Sequence, residues 1–223
     1  MRKENTLELV AVNIGEPRPI DLGGREVLTA ILKQPVSGRV RVMRLGIEGD
    51  HQADLKNHGG ADQAVCAYPI EHYDFWREEL GRRDLPHGQF GENLTLRGLL
   101  EEGTGLGDVL CLGTARLQVS QPRIPCAKLA HHIGAGPDFP GRFLASRRLG
   151  FYLRVLEEGE IGAGDPIEIV EHDEGSVSVA ELIEISQFQR DDAAGLKRVL
   201  ASRGLSHEWR ARLEKRLRKL EAR

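Results

Sequence analysis

The chain has 223 residues, of which 40% are hydrophobic and 29% charged, and its net charge is −3; this is the profile of a globular protein with one large domain, or one domain plus a small appendage. That charge gives no global positive field for a nucleic-acid polymer, and three cysteines without regular pairing fit a reducing cytosol better than a disulfide scaffold. No apolar run approaches the roughly 20 residues of a membrane helix, and the start Met1-Arg2-Lys3-Glu4-Asn5 lacks the apolar core of a signal peptide, so a cytoplasmic protein without a membrane partner is expected.

In chain order, the first segment rich in β formers is Leu7–Ile14, followed by the alternating Arg39–Met43, the pattern of a half-buried strand. Residues 69–80 read as a helix with Pro69 in its first turn and Gly81 beyond its end. Ile70, Tyr73, Trp76 and Leu80 fall on one stripe, the signature of a face packed on the core. Further strands are expected at Val109–Leu112, Ala115–Ser120, Tyr152–Leu156 and Ile167–Val170, with turns at Gly107-Asp108, Gly113 and Gly164-Asp165-Pro166. A helix over 139–149 interrupts them. Many short strands with turn signals predict a mainly β fold, a closed barrel or sandwich rather than a doubly wound sheet.

The pattern changes near residue 174, dividing the chain into a domain over 1–174 and a tail over 175–223. Ser178 and Glu181 have capping-box spacing. A second tail helix is predicted over 191–201, closed by Gly204, and a third over 206–220. The last carries Leu213, Leu217 and Leu220 on one side and Arg210, Arg212, Lys215, Arg216, Arg218 and Lys219 elsewhere. Three short helices make a poor core by themselves, so they are expected to pack on the strands, on each other or on a partner, a second copy of the chain included.

Three segments concentrate reactive residue types. Ser120-Gln121-Pro122-Arg123-Ile124-Pro125-Cys126-Ala127-Lys128 places a cysteine in a loop stiffened by two prolines. Arg123 and Lys128 beside it favour the thiolate, the form that attacks or binds metal. Cys66 and Cys111 lie in strand-like runs and read as small hydrophobes. In Gly46–Gly60, four glycines accompany Asp50, His51, Asp54, Lys56 and His58. The spacing matches no zinc signature, whereas glycines with a cation suit a phosphate or a pterin. The third segment is Gln89-Phe90-Gly91-Glu92-Asn93-Leu94-Thr95-Leu96, where Asn93 carries the donors and acceptors that read a heterocycle edge or serves as a turn residue before a strand. A cysteine hydrolase pairing Cys126 with His131 or His132 is a separate reading of the same residues.

Taken together, Gly46–Gly60, Phe90–Thr95 and Gln121–Cys126, in this order and at these distances, resemble the MOSC family, the molybdenum-cofactor sulfurase C-terminal domain. Val177-Ser-Val-Ala-Glu-Leu182 is similar to the opening of the three-helix tail of its YiiM branch. The resemblance implies a β-barrel that binds a molybdenum cofactor of the molybdopterin type, with Cys126 as the thiolate on the metal, a soft ligand suited to it. It further implies reduction of N-hydroxylated compounds such as 6-N-hydroxylaminopurine. On this reading Lys56, Arg123 and Lys128 take the cofactor phosphate, while Asp50, His58 and Asn93 hold the pterin or deliver a proton, His58 being the better proton donor. The chain carries neither a nicotinamide fingerprint nor an iron–sulfur cysteine spacing. A separate flavin or iron–sulfur reductase is therefore the expected electron source, with the basic third tail helix as a docking face. The alternative is a carrier of the cofactor or of a persulfide on Cys126 without turnover. The absence of a cysteine-desulfurase segment and of a pyridoxal-phosphate lysine context weighs against it.

Overall fold

The computed structural model describes residues 7–53, 59–173 and 175–222. Its centre is an eight-stranded sheet built from β1 (Glu8–Ile14), β4 (Gln34–Pro35), β7 (Val65–Pro69), β8 (Leu94–Arg97), β9 (Val109–Leu112), β10 (Ala115–Pro122), β11 (Phe151–Glu157) and β13 (Ile167–Glu171), in the order β13-β9-β10-β11-β7-β8-β1-β4. Every pairing in it is antiparallel except β7 with β8, which are joined through a helix, as a parallel pair requires. A hairpin of β2 (Arg18–Asp21) and β3 (Glu26–Thr29) and a small sheet of β5 (Arg39–Met43), β6 (Gly46–Ile47) and β12 (Gly159–Gly162) flank it.

The expected mainly β fold is present, but its sheet is not a closed barrel. Between β1 and β13 there is no ladder, only the isolated bridge Glu8–Pro166. Three main-chain hydrogen bonds accompany that bridge: Leu9 N–H to Asp165 O (2.9 Å), Gly164 N–H to Leu9 O (2.8 Å) and Ile167 N–H to Leu7 O (3.0 Å). Pro166 sits at this seam and has no N–H to donate. The sheet curls until its ends meet and is sutured there rather than paired.

The helices follow their local signals with shifted ends. Pro69 closes strand β7 instead of opening a helix, and α1 runs His72–Leu80 with Gly81 in the left-handed conformation beyond it. Tyr73 and Trp76 are buried as their stripe predicted. A helix not expected from the sequence, α2 (Ala127–Ile133), starts directly after Cys126. The helix expected over 139–149 is the shorter α3 (Phe139–Ser146), ended by Arg147 at φ 60°. Trp76 stacks on Phe143 with ring centroids 5.1 Å apart and donates its indole N–H to the Tyr68 hydroxyl (2.8 Å), so α1, α3 and β7 share one aromatic core.

In the tail, Ser178 accepts Glu181 N–H and caps α4 (Val179–Ile183), which continues as a π-helical turn over Glu184–Phe188. Asp192 caps α5 (Ala193–Ala201) and Ser206 caps α6 (His207–Glu221), as such side chains do for otherwise orphaned N–H groups. Main-chain bonds fasten this segment to the sheet and the loop after β8: Val179 N–H to Thr104 O (2.9 Å), Leu106 N–H to Val177 O (3.0 Å) and Ser206 N–H to Ser120 O (3.0 Å). The apolar cluster of the sheet continues without a break into Leu182, Leu196, Trp209 and Leu213.

At this junction the backbones of Gly107 and Gly204 touch. A Cβ on Gly204 would stand 2.2 Å from the Gly107 Cα and nitrogen, and main chain cannot rotate away. Gly204→Ala is therefore expected to cost about 3 kcal/mol, a fall in Tm of roughly 6–12 °C. Gly141→Ala, at an exposed α3 position where the added Cβ meets nothing, should leave Tm unchanged or raised slightly. Thermal unfolding of the two variants checks both.

A buried pair sets a pH dependence. His72 Nε2 lies 2.7 Å from Glu101 Oε2, and Gly150 N–H donates to Glu101 Oε1 at 2.7 Å. Burial alone would raise the Glu101 pKa, but the hydrogen bond and charge of His72, with Gly150, hold it below the usual carboxylate value. A depressed carboxylate stabilises the fold above its unfolded pKa, and that stabilisation is lost as pH falls through the folded value. Glu101→Gln should lower stability by about 3 kcal/mol at pH 7. The gap to wild type should narrow below about pH 4.3, as read by urea unfolding across pH.

Candidate functional site

A cleft of about 700 Å³, partly open to solvent, collects residues from all three sequence segments. Asp50, Asn93, Arg123, Cys126 and Lys128 line it together. Lys56 and His58, the other expected members, lie outside the described residues. Among the described residues His51 lines the cleft, whereas His131 and His132, the histidines expected beside Cys126 on the hydrolase reading, are not among its lining residues.

The floor is built on the Gly88–Asn93 loop. Glu92 is fully buried and its carboxylate accepts Gly88 N–H (2.8 Å), Phe90 N–H (3.1 Å), the Thr95 hydroxyl (3.0 Å) and the Tyr73 hydroxyl. These donors satisfy a charge that would otherwise be costly in the interior. Gly88 and Gly91 both have positive φ. A Cβ on Gly88 would meet Lys33 O at 2.9 Å, and one on Gly91 would meet Ile31 Cγ1 at 2.5 Å. The two glycines let the Ile31–Lys33 segment lie against the loop, and this brings Lys33 into the cleft.

Asn93 joins three elements. Its Oδ1 accepts Cys66 N–H (3.1 Å), and its Nδ2 donates to Asn13 O (3.3 Å) and to Asp50 Oδ2 (2.8 Å). Both amide hydrogens are thereby committed to protein acceptors. Asp50 is equally engaged: its Oδ1 accepts Gly15 N–H (2.8 Å) and pairs with Lys33 Nζ (2.5 Å), and the two side chains are 5% and 8% exposed. Asp50 and Asn93 thus hold the floor together in this structure.

On the opposite wall, Arg123 follows β10, with its N–H on Gly150 O (3.1 Å) and its guanidinium over the Phe143 ring at 5.6 Å. The residue is 5% exposed, and Nη1 has no hydrogen-bond partner among the described residues. Burial opposes its charge, but Cys66, Tyr152 and Cys126 nearby outweigh that and leave its pKa raised. Cys126 is half-buried at the residue preceding α2, with extended backbone (φ −133°, ψ 169°), and its carbonyl accepts Leu129 N–H (3.1 Å). Cys66 also lines the cleft, yet burial pushes its thiol up to about 11, so it stays protonated at neutral pH. Burial likewise raises Tyr152.

Lys33, Cys66 and Tyr152 were not read from the sequence as site residues. The sequence of Lys33, Ile31-Leu32-Lys33-Gln34-Pro35, carries no sign that separates it from a surface lysine. Cys66 and Tyr152 sit in strands whose alternation reports burial but not what they face. Among the described residues no cluster of three or more His, Cys, Asp or Glu could hold a metal ion by itself.

The MOSC domain family matches residues 54–168 of the chain, a span that includes Asn93, Arg123, Cys126 and Lys128. This is a MOSC protein. YflK of Bacillus subtilis, an uncharacterized protein, is 41% identical over 214 residues, 96% of each chain. The crystal structure of YiiM from Geobacillus stearothermophilus superposes with a TM-score of 0.80 at 40% identity, covering 95% of this chain and 99% of that one. The MOSC match ends at 168, but both of these relatives extend across the tail. A protein of Gibberella moniliformis named "Reductase" is 37% identical over 166 residues, 73% of this chain but 29% of its own length. No described helix is long and apolar enough to cross a membrane.

The Lys33–Asp50 pair makes a prediction. Asp50→Asn leaves a buried ammonium without its carboxylate and should cost about 3 kcal/mol. Lys33→Met should cost less, because Asp50 keeps the Gly15 and Asn93 donors. The double variant should fall short of the sum. A urea double-mutant cycle measures the coupling, and additivity within about 0.3 kcal/mol would refute the pairing.

Proposed function

We propose that the protein is a molybdenum-cofactor-dependent reductase of N-hydroxylated compounds, with 6-N-hydroxylaminopurine as a representative substrate. The observation that carries this reading is the juxtaposition in one cleft of the Cys126 thiol and a buried guanidinium with an unpartnered Nη1. An unsatisfied buried donor is costly to leave unmade, and a bound anion would complete it. A cofactor of this kind offers both groups the wall calls for, a soft metal for the thiolate and a phosphate for the arginine. Membership of the MOSC family and the likeness to a protein named reductase support the same reading.

In this proposal the cofactor, when bound, supplies the two-electron chemistry that converts R–NHOH, two electrons and two protons to R–NH₂ and water. Cys126 is its protein ligand. Arg123, with Lys128 and Lys56, holds the phosphate. Asp50 and Asn93 act as positioning residues that fix Lys33 and the β7 edge against the pterin side of the cleft. His58 delivers a proton to the departing hydroxyl, a task suited to its near-neutral reference pKa. Cys66, kept protonated by burial, does not compete for the metal.

The test is metal and pterin analysis of protein made in a host that synthesises the cofactor. Wild type should carry near-stoichiometric molybdenum and pterin, and Cys126→Ala should lose the molybdenum. Arg123→Met should keep the thiol and lose pterin affinity by about tenfold or more. Wild type free of both groups would overturn the proposal. A loaded wild type that cannot reduce hydroxylaminopurine with a chemical reductant would favour the carrier reading instead.

A further inference from the structure

The reductase reading demands electrons from outside, and the tail bears a feature that the cleft does not use. Arg212, Lys215, Arg216 and Lys219 fall on a single face of α6, at the i, i+3, i+4, i+7 spacing of one helical stripe. Together with Arg190 they surround a solvent-open depression of about 790 Å³ whose one carboxylate is Asp191.

Several cations elsewhere on the surface are paired with acids. In the tail, Lys197 pairs with Glu221 (2.8 Å) and Arg198 with Glu181 (2.9 Å), and Arg147, after α3, pairs with Glu184 of the tail (2.8 Å). On the sheet, Arg116 holds Glu157 and Glu171 at 2.7 and 2.6 Å. Among the described residues, Arg190, Arg212, Lys215, Arg216 and Lys219 form no ion pair; Arg216 donates instead to Ser186 O (2.8 Å), and Arg212 lies over the Trp209 ring at 3.9 Å. Of the acids of α6, Glu221 pairs with Lys197 and Glu214 with Arg218, which leaves Glu208 to offset part of the Arg212 charge. Like charges three and four residues apart destabilise a helix. Burial, with repulsion from Arg190 and, for Arg212, from Arg216, lowers the pKa of both arginines against the opposing pull of Glu208 on Arg212 and of Asp191 on Arg216. The crowding of like charge is thus unfavourable in itself, whatever Arg212 and Arg216 gain from Trp209 and Ser186.

We infer that this stripe is the docking surface for an acidic electron-carrier protein, the partner that supplies two electrons per substrate. The inference rests on the reductase reading. With a net charge of −3 for the whole chain, a local unneutralised patch steers a complementary acidic face to one place rather than attracting polyanions everywhere. The helix that carries the patch is also tied to the edge of the cleft. His207 N–H, at the start of α6, donates to Asp62 Oδ2 (2.9 Å), and Asp62 precedes Gln63 and Ala64, which line the cleft. Along the axis, Arg212 stands about 8 Å and Lys219 about 18 Å from that anchor.

The experiment uses full-length holoprotein and hydroxylaminopurine, with methyl viologen or an acidic flavodoxin plus its NADPH-dependent reductase as donor. Lys215→Glu/Lys219→Glu, at two exposed positions, should raise the KM for flavodoxin at least tenfold and flatten its salt dependence, with the viologen-driven rate unchanged. Lys215→Arg/Lys219→Arg should behave as wild type. An unchanged flavodoxin KM in the Glu variant overturns the docking surface while leaving the reductase reading intact. So does a wild type that turns over with viologen but not with flavodoxin. Failure of the wild type with both donors overturns the reductase reading and the docking surface with it. Single-stranded DNA bound tightly by wild type and lost in the Glu variant, with flavodoxin KM unmoved, would reassign the face to nucleic acid.

Discussion

The cleft exists because one buried carboxylate holds separate parts of the chain together. Asp50 takes the Gly15 N–H after β1, the Lys33 ammonium before β4 and the Asn93 amide before β8. Asn93 then passes the connection to β7 through Cys66 N–H. None of these segments is adjacent in sequence, and none could bury its polar groups without the others. The glycines of the Gly88–Asn93 loop serve the same end, since they allow the Lys33 segment to come close enough for its side chain to reach Asp50.

The two walls of the cleft are electrostatically unequal. On the floor, the Lys33 charge is met by Asp50 and the Glu92 charge by four donors, so that side is self-contained. On the other wall the Arg123 guanidinium lies over an aromatic ring and beside weakly acidic groups, and its Nη1 has no hydrogen-bond partner among the described residues. An anionic ligand is therefore directed toward one wall, the one that carries Cys126. On the proposed reading, this asymmetry would orient a molecule with a phosphate at one end and a soft metal at the other better than a uniformly basic pocket would.

Much of this was legible from the residues. The strand at Arg39–Met43, the Ser178 cap and the last tail helix lie within a residue or two of their expected places, because alternation, capping and helical spacing are local. The gathering of Asp50, Asn93, Arg123, Cys126 and Lys128 at one cleft was reached through resemblance, not through spacing, since sequence distance does not report which loops meet. Lys33 was invisible for that reason: its burial depends on two glycines more than 50 residues away. Pro69 misled because proline suits both a first helical turn and the last residue of a strand. The α2 helix was hidden behind Pro125, which reads as loop. The open seam at Pro166 follows from a missing N–H, a detail that strand patterning does not register.

The contact between Gly107 and Gly204 is a joint made of main chain alone. Most interfaces between parts of a protein can be retuned by exchanging one side chain for another of similar size. Here there is no side chain to exchange, and at this point the tail meets the sheet through peptide planes. Sheet and tail must therefore vary as a matched set: a tail grafted from a relative will seat only if both sides of the joint lack a Cβ. The spacing between the α6 anchor and the cleft wall is thus inherited as a fixed length, not adjusted residue by residue.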